Sequence, residues 1–297
     1  MNRHEEAASR AKFLNQPRSR RTLRIGWSRI LLYFLMAALF IVTVTPLISL
    51  VFASLKGPID SVVTNAFMPP HTWRWSNYVD AWVTGRFGIY FFNSLLVAVA
   101  VTVSGIFLGL SVAYSMVILK VPFNPLWMAL FMMGLILPEE AIIMPSYFNM
   151  HSIGLINTYW ALILPQAAMS IAFASLFLRP GLLAIPAELL DCARIDGCSR
   201  VSLVRHVIFP LIKPALSSLV VLFFLGTWND FTFPLVLTFK DSLRTLPLGL
   251  YLFQTAHQSN ITLQAAGTII AALPVVIIYL LFQKTFIEGI TEGAVKG

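Results

Sequence analysis

The stretch Ile185-Pro-Ala-Glu-Leu-Leu-Asp-Cys-Ala-Arg-Ile-Asp-Gly197 is charged, lies between two long apolar runs, and continues through Cys198 and His206 to Val207-Ile-Phe-Pro210. Pro186 suits the first turn of a helix, where its missing N–H costs nothing. Glu188 and Asp191 place negative charge near the positive end of that helix, and Gly197 supplies a stop. The spacing predicts a helix of about three turns. Leu189, Cys192 and Ala193 share one face at i, i+3, i+4 spacing, while Glu188, Asp191 and Arg194 form a polar row. Such a helix can lie flat against a partner.

Outside this segment the chain is apolar to a degree that excludes a soluble globular domain. Hydrophobic residues make up 58% and charged residues 11%, with a mean hydropathy of +0.78. The apolar residues come in long runs, not at amphipathic spacing. A helix needs about 20 apolar residues to cross the hydrocarbon core. Six runs qualify, near Ile30–Phe52, Tyr90–Leu119, Pro125–Tyr147, Tyr159–Leu178, Ile208–Val236 and Leu263–Phe286. The expected fold is an all-α membrane protein of six transmembrane helices. The first run is too long for a signal-peptide core and has no small-residue cleavage site after it, so it is read as retained.

Basic residues orient the spans. With the N-terminus cytoplasmic, the inner segments hold 16 of the 21 Lys and Arg, leaving Lys56, Arg74, Arg86, Lys240 and Arg244 outside. Both termini then fall inside, as does the charged segment around Asp191. The net charge of +8 is explained by this topology and by contact with membrane lipid, which leaves no need for nucleic acid. Residues 1–29 form a basic cytoplasmic arm, and residues 30–297 the membrane domain. Cys192 and Cys198 lie in the inner loop, where thiols stay reduced, and six residues apart they complete no zinc site.

Polar groups within the apolar runs mark candidate sites. Glu139 and Glu140, in Leu137-Pro-Glu-Glu-Ala141, sit well inside the third run. Charges at membrane depth cost about 2.5 to 3.5 kcal/mol each on insertion scales, and they usually face a bundle interior or a water-filled path. Lining a translocation route and forming a structural ion pair are equally open to them. Asn229 and Asp230, near the end of the fifth run, either face a cavity or mark a helix end that reaches water. The aromatic residues between Lys56 and Gly88, Trp73, Trp75, Tyr78 and Trp82 among them, read as an interfacial belt before a sugar platform. Recurrent small residues in the second run, among them Gly105 and Gly109, let helices approach closely.

The pattern Asp191-Cys-Ala, three residues, Gly197, nine residues, Val207-x-Phe209-Pro210 resembles the EAA loop of ABC importer permeases. That loop reads Glu-Ala-Ala, three residues, Gly, nine residues, Ile-x-Leu-Pro. The gaps match, and the departures are Asp191, Cys192 and Phe209. Ala193-Arg-Ile-Asp-Gly197, Asn93-Ser-Leu, Trp228-Asn-Asp and the terminal Gly-Ala-Val-Lys-Gly297 look like the carbohydrate-uptake, maltose-permease-like branch. The resemblance implies a permease subunit for a sugar, oligosaccharide or related polyol in the cytoplasmic (inner) membrane. It implies a second homologous permease subunit, two ABC ATPase subunits that hold ATP and Mg, and an extracytoplasmic substrate-binding protein. The loop at about 179–207 would couple to an ATPase through Glu188, Asp191, Cys192, Ala193, Ile195, Asp196, Gly197 and Pro210. The tail at about 287–297, with Gly293, Lys296 and Gly297, would reach towards the ATPase pair. This chain itself is expected to bind no cofactor and to be no enzyme, since it lacks a P-loop lysine, H-E-x-x-H and G-x-S-x-G. The alternative is an autonomous ion-coupled secondary transporter or channel that uses the intramembrane carboxylates.

Overall fold

Long apolar runs leave the backbone no choice but to satisfy itself, and helices are the way a single segment does so. The computed structural model describes residues 27–294, except 58, 61–63, 66 and 257–259. All regular structure among the described residues is helical. The basic arm, up to residue 26, lies outside the described residues, as do Lys296 and Gly297 of the tail.

The chain falls into two units, Met1–Ile48 and Ser49–Gly297. Helix α1 (Trp27–Leu55) runs through the first unit, where its apolar side chains from Ile30 to Leu47 are largely exposed. In the second unit come α2 (Ser76–Thr84), α3 (Phe87–Val117), α4 (Asn124–Ile136), α5 (Glu139–Ser152) and α6 (Tyr159–Leu183). They are followed by α7 (Ala187–Ile195), α8 (Arg200–Leu211), α9 (Lys213–Asn229), α10 (Thr232–Leu237), α11 (Leu246–Ala256) and α12 (Ile261–Ala294), which includes Gly293.

Four helices, in α1, α3, α6 and α12, are long and apolar enough to cross a membrane unbroken. The third and fifth expected spans are not continuous, which corrects the sequence reading. The third splits into α4 and α5 with a 103° bend. Pro138 has no N–H to donate and drives Leu137 out of the helical region, to ψ 129°. The fifth splits into α8 and α9 with an 82° bend at Ile212, between Pro210 and Pro214. A π-helical turn at Val204–Ile208 precedes that bend. Beyond Asn229 the helix stops again, because Asp230 is extended at ψ 124°. If each bent pair counts as one span, the total is six.

The core is built on α3 against α6. A β-carbon on Gly109 would lie 2.4 Å from Cβ of Ala174, and one on Gly105 would lie 2.7 Å from Cβ of Ser170. Both distances are below any contact between real methyl groups, so the missing side chains set the separation of the two helices. α9 closes on α3 and α12, and α10 packs on α5 and α6.

The two ends of the bundle are held differently. At the α7 end, an apolar hub joins Ala113, Leu178, Leu182, Leu190, Ala193, Leu203, Ile208 and Ile212. At the opposite end, the bonds are polar. Asn93 donates to the carbonyls of Ser242 and Arg244, Ser94 accepts from the Leu246 amide, and the Tyr90 hydroxyl donates to Asp241 at 2.6 Å. Asp241 also pairs with Arg86 and Arg244, and Tyr159 donates to Asn93. Asn157 Oδ1 accepts from the amides of Phe239 and Lys240.

Candidate functional site

Two clusters of candidate residues emerge, one on α7 and one where the broken spans meet. On α7 the residue before the first helical turn is Pro186, extended at ψ 136°, so the proline stands one position earlier than expected. The helix ends in a Schellman motif: the amide of Gly197 donates to the carbonyl of Arg194, and that of Cys198 to Ala193. Gly197 has φ +82°, the left-handed conformation that closes this motif. A side chain there would meet nothing within 4 Å, so the demand for glycine is conformational and not one of space.

The face of α7 turned into the protein carries Leu190 and Ala193, 7% and 8% exposed, which sit in the apolar hub. Of the face shared by Leu189, Cys192 and Ala193, the first two are exposed and Ala193 is covered, so the inward stripe is Leu190 with Ala193. Adjacent leucines at 189 and 190 fit either stripe, and only packing against Leu178, Leu182 and Leu203 selects one. The free face offers Glu188, Asp191, Cys192, Arg194, Ile195 and Asp196. Asp191 accepts from Arg194 at 2.9 Å, so the polar row is partly neutralised within the helix. Both groups are exposed, and the pair contributes about 0 to 1 kcal/mol. Pro210 lies in α8, two residues before the bend, and is exposed.

The second cluster lies at the breaks. Glu139 and Glu140 begin α5 directly after Pro138, both exposed, and no Lys, Arg or His among the described residues pairs with them. They are not in the middle of a helix, as the sequence reading has it; they stand at a helix start, where carboxylates are favoured. Asp230 Oδ1 accepts from the amides of Thr232 and Phe233 and so caps α10, whereas Oδ2 is buried with no hydrogen-bond partner. Asn229 is exposed and folds its amide back to the Leu225 carbonyl at 2.9 Å. The structure thus brings the two breaks to neighbouring elements: α10, which follows Asp230, packs on α5, which begins at Glu139.

The segment linking α1 to α2 has its own polar knot. Lys56 is 2% exposed and donates to the Asn65 carbonyl at 2.7 Å. Asp60 accepts from the His71 ring at 2.8 Å and from the His71 amide at 3.0 Å. The ring bond first, then the amide bond, holds the Asp60 carboxyl below its ordinary pKa. Sequence reasoning missed this knot, since nothing in the spacing of Asp60 and His71 announces it.

An all-helical membrane chain with two interrupted spans and a short amphipathic helix held at one end of its bundle has the build of a transport permease. Comparison with known proteins names the kind. The chain belongs to the family of binding-protein-dependent transport system inner membrane components, whose model matches residues 105–286. It is 34% identical over 252 residues to the probable ABC transporter permease protein YurM of Bacillus subtilis, covering 85% of this chain and 83% of that one. It is 31% identical to the arabinooligosaccharides transport system permease protein AraQ of Halalkalibacterium halodurans, covering 86% and 92%. Among solved structures, the crystal structure of a bacterial ABC transporter involved in import of the acidic polysaccharide alginate superposes with a TM-score of 0.75 at 21% identity. That match covers 91% of this chain and 100% of the other and bears on the fold. The protein is a multi-pass inner-membrane permease subunit of an ABC importer.

Proposed function

We propose that this subunit imports a sugar, oligosaccharide or related polyol, driven by separate ATPase subunits that carry ATP and Mg and dock on α7. The observation that carries the reading is the construction of α7. It is a nine-residue helix stopped by Gly197, fastened to the apolar hub by Leu190 and Ala193, with its charged face left open. A rigidly attached helix with a free acidic and apolar face is what a partner needs to push on the membrane helices. In this reading both termini are cytoplasmic, residues 1–29 form an arm, and 30–297 form the transmembrane domain. The coupling loop is about 179–207, and the tail with Gly293, Lys296 and Gly297 turns towards the ATPase pair. Cys192 and Ile195 lie against the ATPase, Glu188, Asp191 and Asp196 meet its basic residues, and Pro210 stiffens the link through α8.

A second homologous permease completes the membrane part, and an extracytoplasmic binding protein delivers substrate. The carbohydrate class is supported by relatives such as the arabinooligosaccharide permease. The autonomous ion-coupled carrier is not favoured for a member of a binding-protein-dependent family. To swing a two-state equilibrium from 1:99 to 99:1, ATP must favour the closed state by about 5.5 kcal/mol of differential binding.

The test is co-purification in detergent with an ATPase, a second permease and a binding protein from the same source, followed by uptake of labelled oligosaccharides in vesicles. Gly197→Asp and the double change Asp191→Lys, Asp196→Lys are expected to lose the ATPase or to hydrolyse ATP without uptake. Retention of full coupled uptake in both variants overturns the assignment of α7.

A further inference from the structure

We propose that the groove between α3, α8 and α12 holds an anionic phospholipid, with its phosphate on Arg205 and its acyl chains along α3. The inference goes beyond the importer reading and takes from it only the orientation that sets α7 and α8 on the cytoplasmic side.

The groove has a volume of about 1230 Å³. One wall is a stripe of α3 at fourfold spacing, Val99, Val103, Phe107, Ser111 and Ser115, and the facing walls come from α8, α9 and α12. Val103 and Phe107 are 60% and 69% exposed, so the groove is open along its side. Both α3 and α12 are long and apolar enough to cross a membrane, which puts these walls at the depth of the hydrocarbon. An open apolar groove at that depth is filled by acyl chains unless a protein partner takes it.

Arg205 is the one charged residue on these walls. α8 turns 82° from α9, so where α9 runs along the membrane normal, α8 lies near the plane of the headgroups. Val201, Arg205 and Phe209, at fourfold spacing on α8, are all exposed and all line the groove. The apolar hub fixes this end, because Val204 and Tyr114, which also line the groove, both pack against it. No Asp or Glu among the described residues pairs with Arg205. A basic residue in a pocket between membrane helices on the cytoplasmic side recognises an anionic headgroup. The other occupant such a groove can take is a membrane helix, and the first span of a second copy fits the apolar walls. Yet α1 contains no acidic residue, so it would bury Arg205 without a counter-charge. A lipid phosphate supplies that charge through short, charge-assisted bonds to the guanidinium. Because α8 follows α7 directly, the lipid braces the link through which α7 moves the membrane helices.

The experiment uses the assembled complex in phosphatidylcholine vesicles that contain a trace of either phosphatidylglycerol or phosphatidylcholine with a photoactivatable group on one acyl chain. Adducts are mapped by mass spectrometry. Wild type is expected to give adducts within residues 107–115 and 277–282, about fivefold more with the phosphatidylglycerol probe, the preference that one basic residue confers. Arg205→Gln should bring the ratio of the two probes close to one. Arg200→Gln, on the same helix and exposed but off the groove, should keep it. Ser111→Trp, which fills the groove from an exposed position, should lower the adducts of both probes there while those on the exposed face of α1 persist. Benzoylphenylalanine in place of Ser111 should capture lipid. An unchanged ratio in Arg205→Gln, an equal loss in Arg200→Gln, undiminished adducts in Ser111→Trp, or capture of the second permease subunit from position 111 overturns the lipid site. Each of these leaves the importer reading intact, since that reading is judged by ATPase retention and uptake.

Discussion

Replacing Leu190 with Ala tests how α7 is attached. The helix meets the rest of the protein through Leu190 and Ala193, against Leu178, Leu182, Leu203 and Ile208. Removing three buried carbons from such a site costs roughly 2 to 4 kcal/mol, through lost transfer energy and the cavity left behind. The loss falls on the local opening of α7, because the separation of α3 and α6 is set elsewhere, at Gly105 and Gly109. At 1.4 kcal/mol per tenfold, amide exchange across Ala187–Ile195 should accelerate by about 30- to 700-fold. Exchange in α3 and α6 should stay as it was. Leu189→Ala, at a side chain 42% exposed, is the matched control and should change exchange less than threefold, within the range of ordinary surface substitutions. The assay is hydrogen–deuterium exchange with mass spectrometry on the detergent-purified protein. Equal effects of the two leucine variants, or uniform loosening of the whole bundle by Leu190→Ala, would refute the account of the hub.

Gly197→Ala should destabilise the end of α7 by about 1 to 2 kcal/mol through its left-handed backbone, with Gly197→Asn milder, read as the loss of helix protection at Arg194 and Ile195. Gly109→Ala should lower thermal stability in detergent, by about 1 to 3 kcal/mol, and Ala174→Gly in the same chain should restore most of it, since the two methyls compete for one space. For Asp60, a carboxyl held low in the folded state stabilises above its unfolded pKa, and that contribution is lost as pH falls through the lowered folded value. Limited proteolysis between Lys56 and Trp75 should therefore be unchanged from pH 7 to 5 and rise only below about 4. His71→Ala removes the ring bond, so the rise should begin at higher pH.

Hydropathy locates the six apolar segments well, because burying a helix in lipid requires apolar length and nothing else. It carries no information on direction, so Leu137-Pro138 and Ile212 read as interior positions of straight spans and prove to be corners. The helix around Asp191 and its stop at Gly197 are legible because capping depends on local sequence. Which of Leu189 and Leu190 faces inward depends on Leu178 and Leu203, which no local rule reports. The packing of α10 on α5, and the meeting of Phe231 with Tyr251, follow from how separate elements align across the bundle. That alignment is a tertiary fact without a sequence spacing.

The polar fastening opposite α7 also constrains how the protein is made. Tyr90, Asn93 and Ser94 on α3 find their partners at Asp241, Ser242, Arg244 and Leu246, some 149 to 152 residues later in the chain. At about 5 to 20 residues per second, the ribosome needs on the order of 8 to 30 seconds to supply them. Throughout that interval α3 is already in the membrane with an amide and two hydroxyls uncommitted. The nascent permease therefore inserts its second span before the partners of these three side chains exist, and this end of the bundle is fastened only once the loop before α11 emerges.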